Sequence, residues 1–141
     1  MSCIFCKIAS GEVPSCRVYE NEKVVAFLDN RPVNYWHTLI IPKEHHENMI
    51  DTPADLLCEI ITVASELAPA ILKTTALHDY NFVVNSGASA GQIVFHTHFH
   101  IIPRFAGDGY GRFRLEYKEG EADALAKKIR KELARQMIVD K

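Results

Sequence analysis

Phe95-His96-Thr97-His98-Phe99-His100-Ile101-Ile102-Pro103-Arg104 sets a histidine at every second position from 96 to 100. A period of two is that of a β-strand, whose side chains alternate between faces, so His96, His98 and His100 share one side while Thr97, Phe99 and Ile101 share the other. The strand is expected over residues 93–102, with Pro103 closing it. Three imidazoles in a row are a poor choice for packing alone, because each buried polar ring needs a partner. The row points to chemistry.

Histidine serves both as a metal ligand and as a nucleophile or proton carrier near neutral pH. At about 3.3 Å per residue the Cα atoms of His96 and His100 stand roughly 13 Å apart, too far for all three rings to reach one ion through bonds of about 2.1 Å. A metalloenzyme using only His96 and His98 is one alternative, and it predicts activity lost to a chelator and regained with zinc. The spacing favours the other reading, in which the central His98 attacks an electrophile lying along the strand and its neighbours handle protons. Just upstream, Asn85-Ser86-Gly87-Ala88-Ser89-Ala90-Gly91-Gln92 is a small-residue loop whose backbone N–H groups can approach an anion, for which a phosphate is the natural guest.

Working outward, the β-rich runs 17–19, 24–29 and 38–41 are separated by polar or Pro-containing turns and predict an antiparallel meander; residues 81–85 predict a fourth strand. Asp51 or Thr52 is placed to cap a helix beginning at Pro53, whose apolar stripe runs from Leu56 to Leu67. Pro69 predicts a kink or break before the helix resumes over 71–77. Ile4, Phe5 and Ile8 predict one or two helical turns, ended by Gly11 and Pro14. A last helix over 123–137 sets Leu125, Ile129 and Leu133 on one face, with Lys127, Lys128, Arg130, Lys131 and Arg135 clothing the rest. Five strands and three helices without repeats predict one α+β domain over residues 1–141, in which 105–141 forms a divergent C-terminal loop and helix.

The 141-residue length suits a single core, and 48% apolar with 24% charged residues excludes a disordered or low-complexity chain. Sixteen Lys and Arg against eighteen Asp and Glu leave a net charge of −2, so no bulk field draws nucleic acid or an anionic membrane. There is neither an 18-residue apolar run nor a basic, apolar leader, and the expectation is a soluble cytoplasmic protein. Reduced thiols are expected there, with Cys16 and Cys58 as ordinary buried residues and His78 as an exposed loop residue. Cys3-Ile4-Phe5-Cys6 differs, because its two-residue gap lets two thiolates bind one tetrahedral ion, which is half of a four-ligand site.

His96-Thr97-His98-Phe99-His100-Ile101-Ile102 resembles the histidine triad pattern His-x-His-x-His-x-x. With Ile4-Phe5, Ala26-Phe27-Leu28-Asp29, His37-Thr38-Leu39-Ile40-Ile41-Pro42-Lys43 and Gly91-Gln92, the chain resembles the HIT superfamily in its Hint-like, bacterial-type branch from Cys3 to Arg104. The resemblance implies a five-stranded antiparallel sheet packed with the main helix and the C-terminal helix, and purine nucleotides, AMP or GMP derivatives, as partners. It implies cleavage of phosphoramidates or related esters at the α-phosphate through a nucleotidyl-histidine. By the same likeness His98 is the nucleophile, and His100 and His37 line the phosphate site. Asn85, Gly91 and Gln92 serve the phosphate or leaving group, Asp29 binds the ribose hydroxyls, and Ile4, Phe5, Ile8 and Asn30 wall the base pocket. Cys3, Cys6, His45 and His96 are implied as ligands of one structural zinc, with His46 adjoining His45 as the rival ligand. Many relatives lack the cysteines, so zinc is not required for the chemistry. A homodimer is also implied. Many Hint relatives carry a hydroxyl residue after Gly-Gln, where this chain has Ile93, so a donor to the leaving group is missing. The alternatives are an asymmetric diadenosine polyphosphate hydrolase using the same residues, and a nucleotide-binding sensor or scaffold with incidental turnover.

Overall fold

The computed structural model describes residues 2–109 and 114–139, and the side chains of 138 and 139 fall outside that description. Five strands, β1 (Arg17–Glu20), β2 (Val24–Leu28), β3 (Thr38–Pro42), β4 (Asp79–Val84) and β5 (Phe99–Arg104), form one antiparallel sheet in the order β1-β2-β3-β5-β4. Three helices, α1 (Ile4–Ser10), α2 (Ala54–Thr75) and α3 (Glu121–Val139), cover it.

Every residue of β2 and β3 is buried because both faces of the sheet are covered there. Val24, Ala26, Leu28 and Ile40 join the core under α2 and α3, with Ile60, Leu67, Ile71 and Ile129. Val25, Phe27, Leu39 and Ile41 point the other way, against Phe5 and Ile8 of α1. The pairing Leu39↔His100 puts His100 on the α1 face, and Ile40↔Phe99 and Thr38↔Ile101 send Phe99 and Ile101 into the larger core. The α1 face of the sheet thereby becomes the floor of a cleft.

Four expectations from sequence need correction. The triad strand starts at Phe99, so only His100 lies within the ladder and residues 93–98 approach it without β pairing. β3 runs on to Pro42, but its ladder with β5 ends at Ile40↔Phe99, and residue 97 turns to loop 43–52 instead. Thr97 N–H donates to the His46 carbonyl at 2.8 Å, and the Thr97 and Thr52 hydroxyls lie 2.7 Å apart. Thr52, engaged there and on the Asn48 carbonyl, does not cap α2; Pro53 holds the cap position without a side-chain bond. Of the kink or break expected at Pro69, the break is absent: the helix runs on through it, and Leu67, Ala68, Ala70 and Ile71 keep one buried stripe continuous. Finally, Cys58 is exposed and Cys16 is half-buried, its thiol donating to the Asp123 carboxylate at 3.0 Å. His78 is exposed in the turn before β4, and the basic residues of α3 are exposed as expected.

Candidate functional site

A cleft of about 940 Å³ opens on the α1 face. Ile4, Phe5 and Ile8 of α1, with Phe27 and Leu39 of the sheet, make its apolar side, while Asp29, Asn30, Asn85, Gly91, His98 and His100 supply its polar groups. Phe5 is the hinge between sequence and site: its ring meets His98 edge-on with centroids 5.0 Å apart and His96 at 6.0 Å, and His98 meets His100 at 5.0 Å. The three rings therefore stand in a row even though only the last belongs to the ladder.

Each tautomer in the row follows from its partner. The His98 Nδ1 sits 2.7 Å from the His96 carbonyl, which can only accept, so Nδ1 carries the proton and Nε2 keeps a free lone pair. The Val33 N–H donates to His37 Nδ1 at 3.0 Å, which leaves the proton of neutral His37 on Nε2. That Nε2–H donates to His100 Nδ1 at 2.9 Å, so His100 carries its own proton on Nε2. His100 Nε2 is buried without a hydrogen-bond partner among the described residues. A lone pair on His98 and an unsatisfied N–H donor on His100 thus stand side by side at the cleft.

Burial also keeps these rings neutral. Loss of solvent, aided by the neighbouring imidazoles and Arg114, pushes His100 down to about 4 and His37 to about 2, and burial pushes His98 below its ordinary value. Burial pushes Asp29 upward, and this is opposed by the Arg31 N–H at 2.9 Å and the Arg114 guanidinium at 3.3 Å.

Two residues assigned to the phosphate by resemblance are not among those that line the cleft. His37 is fully buried, bonded to His100 and 3.7 Å from the Asp29 carboxylate, both of which line the cleft. The Gln92 amide is buried and bonded to backbone at both ends, donating to the Glu47 and Val94 carbonyls and accepting from the Gly87 N–H. Gln92 fixes the loop; Gly91 at its end, with φ of 95°, packs beside Asn85, which faces the cleft. Arg114, Glu116 and Tyr117 line the cleft but were missed by sequence reasoning, because they lie in an aperiodic, Gly-containing stretch far along the chain from Asp29.

A second constellation lies at the N-terminal end of the row. Cys3 Sγ and Cys6 Sγ each lie 3.5 Å from His96 Nδ1, Cys6 Sγ lies 3.3 Å from His45 Nδ1, and the two Nδ1 atoms are 3.2 Å apart. An ion held tetrahedrally by bonds of about 2.0–2.3 Å separates its ligands by roughly 3.3–3.8 Å. The donor set fits: His96 gives its Nε2–H to the Pro42 carbonyl at 2.7 Å, so its Nδ1 lone pair faces the group. His46, in contrast, turns to Glu44 at 2.9 Å and stays out of the cluster. Asp29, His37 and His100 also cluster, but with His37 Nε2 protonated toward His100 that group is a hydrogen-bond relay.

A model of the HIT domain matches residues 10–107. An uncharacterized HIT-like protein of Methanocaldococcus jannaschii is 46% identical over 91% of this chain and 98% of its own. The adenylylsulfatase HINT3 of Arabidopsis thaliana is 37% identical over 93% of this chain and 69% of its own. A solved zinc-bound histidine triad family protein of Mycobacterium smegmatis superposes with a TM-score of 0.87 at 34% identity, covering 99% of this chain and 98% of that one. The described α+β architecture and the histidine row agree with these matches, and the chain belongs to the HIT domain family.

Proposed function

We propose that the protein is a nucleotide hydrolase that cleaves purine nucleoside phosphoramidates or related nucleotide esters at the α-phosphate through a nucleotidyl-histidine. HIT membership and an adenylylsulfatase relative support nucleotide hydrolysis in general. The single observation that carries the finer reading is the free Nε2 lone pair of His98 beside the unpartnered Nε2–H of His100. His98 Nε2 forms a bond to phosphorus while the bond to the departing group breaks and that group leaves with the electron pair, an amine taking a proton from solvent as it goes; the proton count closes when the attacking water gives one up in the second step. The His96 carbonyl, accepting from Nδ1–H, stabilises the cationic imidazole as it forms, and the His100 N–H steadies the phosphoryl oxygens. Water then attacks phosphorus, releases the nucleoside monophosphate and restores His98. Ile4, Phe5 and Ile8, with Asn30 at the rim, wall the base; Asp29 takes the ribose hydroxyls; Asn85 and Gly91 face the phosphate, on a loop that Gln92 holds in shape. His37 sets the tautomer of His100.

Exchange of His98 for Ala is expected to lower turnover by at least roughly 10³-fold while nucleotide binding survives. Activity retained within tenfold removes His98 from the nucleophile role. A nucleotide trapped on His98 in quenched wild-type reactions supports it directly.

One observation favours a second reading of the departing group. Ile93, at the cleft and 82% exposed, offers no hydroxyl, and sulfate needs no proton on leaving, as an amine does. Rates on adenosine phosphoramidate, adenylyl sulfate and diadenosine polyphosphate, measured side by side, rank the three.

Cys3, Cys6, His45 and His96 would hold one zinc ion, whose part is structural: it ties α1 to the start of the triad. A homodimer through the outer edge of β4 is supported by the exposed Tyr80, Phe82 and Val83 on that strand. No described helix is long and apolar enough to cross a membrane, and the cytoplasm is the proposed place of action.

A further inference from the structure

We infer that Arg114, from the segment after the family-matched region, is a positioning residue that holds Asp29 ready for a vicinal diol and so selects ribonucleotides over 2′-deoxyribonucleotides. The inference rests on the nucleotide reading of the cleft. Asp29 follows β2 directly, with a side chain only 15% exposed, its Oδ1 accepting from the Arg31 N–H at 2.9 Å. The Arg114 guanidinium approaches Oδ2 at 3.3 Å and is itself fixed on the Arg31 carbonyl at 2.9 Å. Each carboxylate oxygen has two acceptor directions, so one remains open on each, the number that two neighbouring hydroxyls require. Only the ionised carboxylate keeps both open, because a protonated acid turns one oxygen into a donor. A buried carboxylate tends to take that proton, and the guanidinium opposes it.

The segment carrying Arg114 does not depend on this contact. The Leu115 N–H donates to the Pro32 carbonyl at 2.7 Å, the Trp36 N–H donates to Tyr117 Oη at 3.3 Å, and the Tyr35 and Tyr117 rings stack at 5.1 Å. Removing the guanidinium therefore withdraws a charge from Asp29 while the wall stays fastened. A site built to hydrogen-bond hydroxyls rejects an analogue lacking one far more strongly than an apolar site does.

The test compares adenosine and 2′-deoxyadenosine 5′-phosphoramidates on the wild type, R114A and R114K. We expect the wild type to favour the ribonucleotide at least tenfold in kcat/KM. In R114A the ribonucleotide should lose at least fivefold more than the deoxynucleotide, with the difference in KM, and R114K should recover at least half of the lost preference. A preference unchanged in R114A, or equal losses on both substrates, overturns the role of Arg114 alone. Equal wild-type rates on both overturn the diol role of Asp29 and this inference with it, and no hydrolysis of either, nor of adenylyl sulfate or diadenosine polyphosphate, overturns the nucleotide reading.

Discussion

At the scale of single residues, the site is a matter of which nitrogen holds which proton. His37 does not line the cleft, yet its Nε2–H decides that the proton of His100 sits on the buried, unpartnered Nε2. Exchange of His37 for Phe removes that donor and frees His100 to turn its lone pair to the phosphate. We expect kcat to fall roughly 100-fold, the lower end of what a lost transition-state donor costs, with about 1–3 kcal/mol of stability lost for the unpaired Val33 N–H and His100 Nδ1. Steady-state kinetics beside denaturant unfolding check both; a kcat within twofold of wild type refutes the relay. The row His96, His98, His100 was legible in the sequence because a spacing of two needs no structure to interpret. The proton placements were not, since they depend on the Val33 N–H and the His96 carbonyl. Arg114 was equally hidden, as nothing local ties it to Asp29.

The elements show where periodicity speaks and where it stops. β2, β3 and the stripe of α2 were readable, because each repeats an apolar period over enough residues. Residues 93–98 carry the same alternation, but a strand also needs a partner, and loop 43–52 offers isolated contacts in place of a ladder. Pro69 misled in the opposite sense: one lost helical hydrogen bond is outweighed by the burial of Leu67 and Ile71 around it. α1 is the element on which the two sites meet, with Cys3 and Cys6 on one side and Phe5 and Ile8 on the other. C6S is therefore expected to drop bound zinc below about 0.2 per chain by elemental analysis, to lower Tm by several degrees, and to raise nucleotide KM several-fold with little change in kcat. Unaltered zinc content refutes the ligand assignment.

For the whole molecule, the buried imidazoles make stability depend on pH. His100 at about 4 and His37 at about 2 lie below the ordinary 6.5 of the unfolded chain, so the unfolded state binds protons first as pH falls. Their contribution is intact above about pH 6.5 and is lost progressively toward pH 4, where His100 also charges. Tm measured from pH 8 to pH 4.5 should be flat above 6.5 and then fall, and H37F should flatten part of the descent. A Tm that rises over that interval contradicts the buried, neutral state of the pair. The free edge of β4 bears on association: V83K puts a charge on an edge residue, and we expect it to shift the protein from dimer to monomer in sedimentation equilibrium. A wild type that sediments as a monomer at tens of micromolar refutes the dimer.

The fastening of residues 114–117 along loop 29–36 has a consequence for the order in which the protein comes into being. By Arg104 a growing polypeptide already possesses every imidazole of the row, but the cleft wall beside Asp29 arrives only with Arg114 and Tyr117, and the sheet gains α3 later still. On the ribosome, the histidine row therefore exists before its cleft is walled, and the enclosure is complete only once residues 114–117 have emerged and laced down.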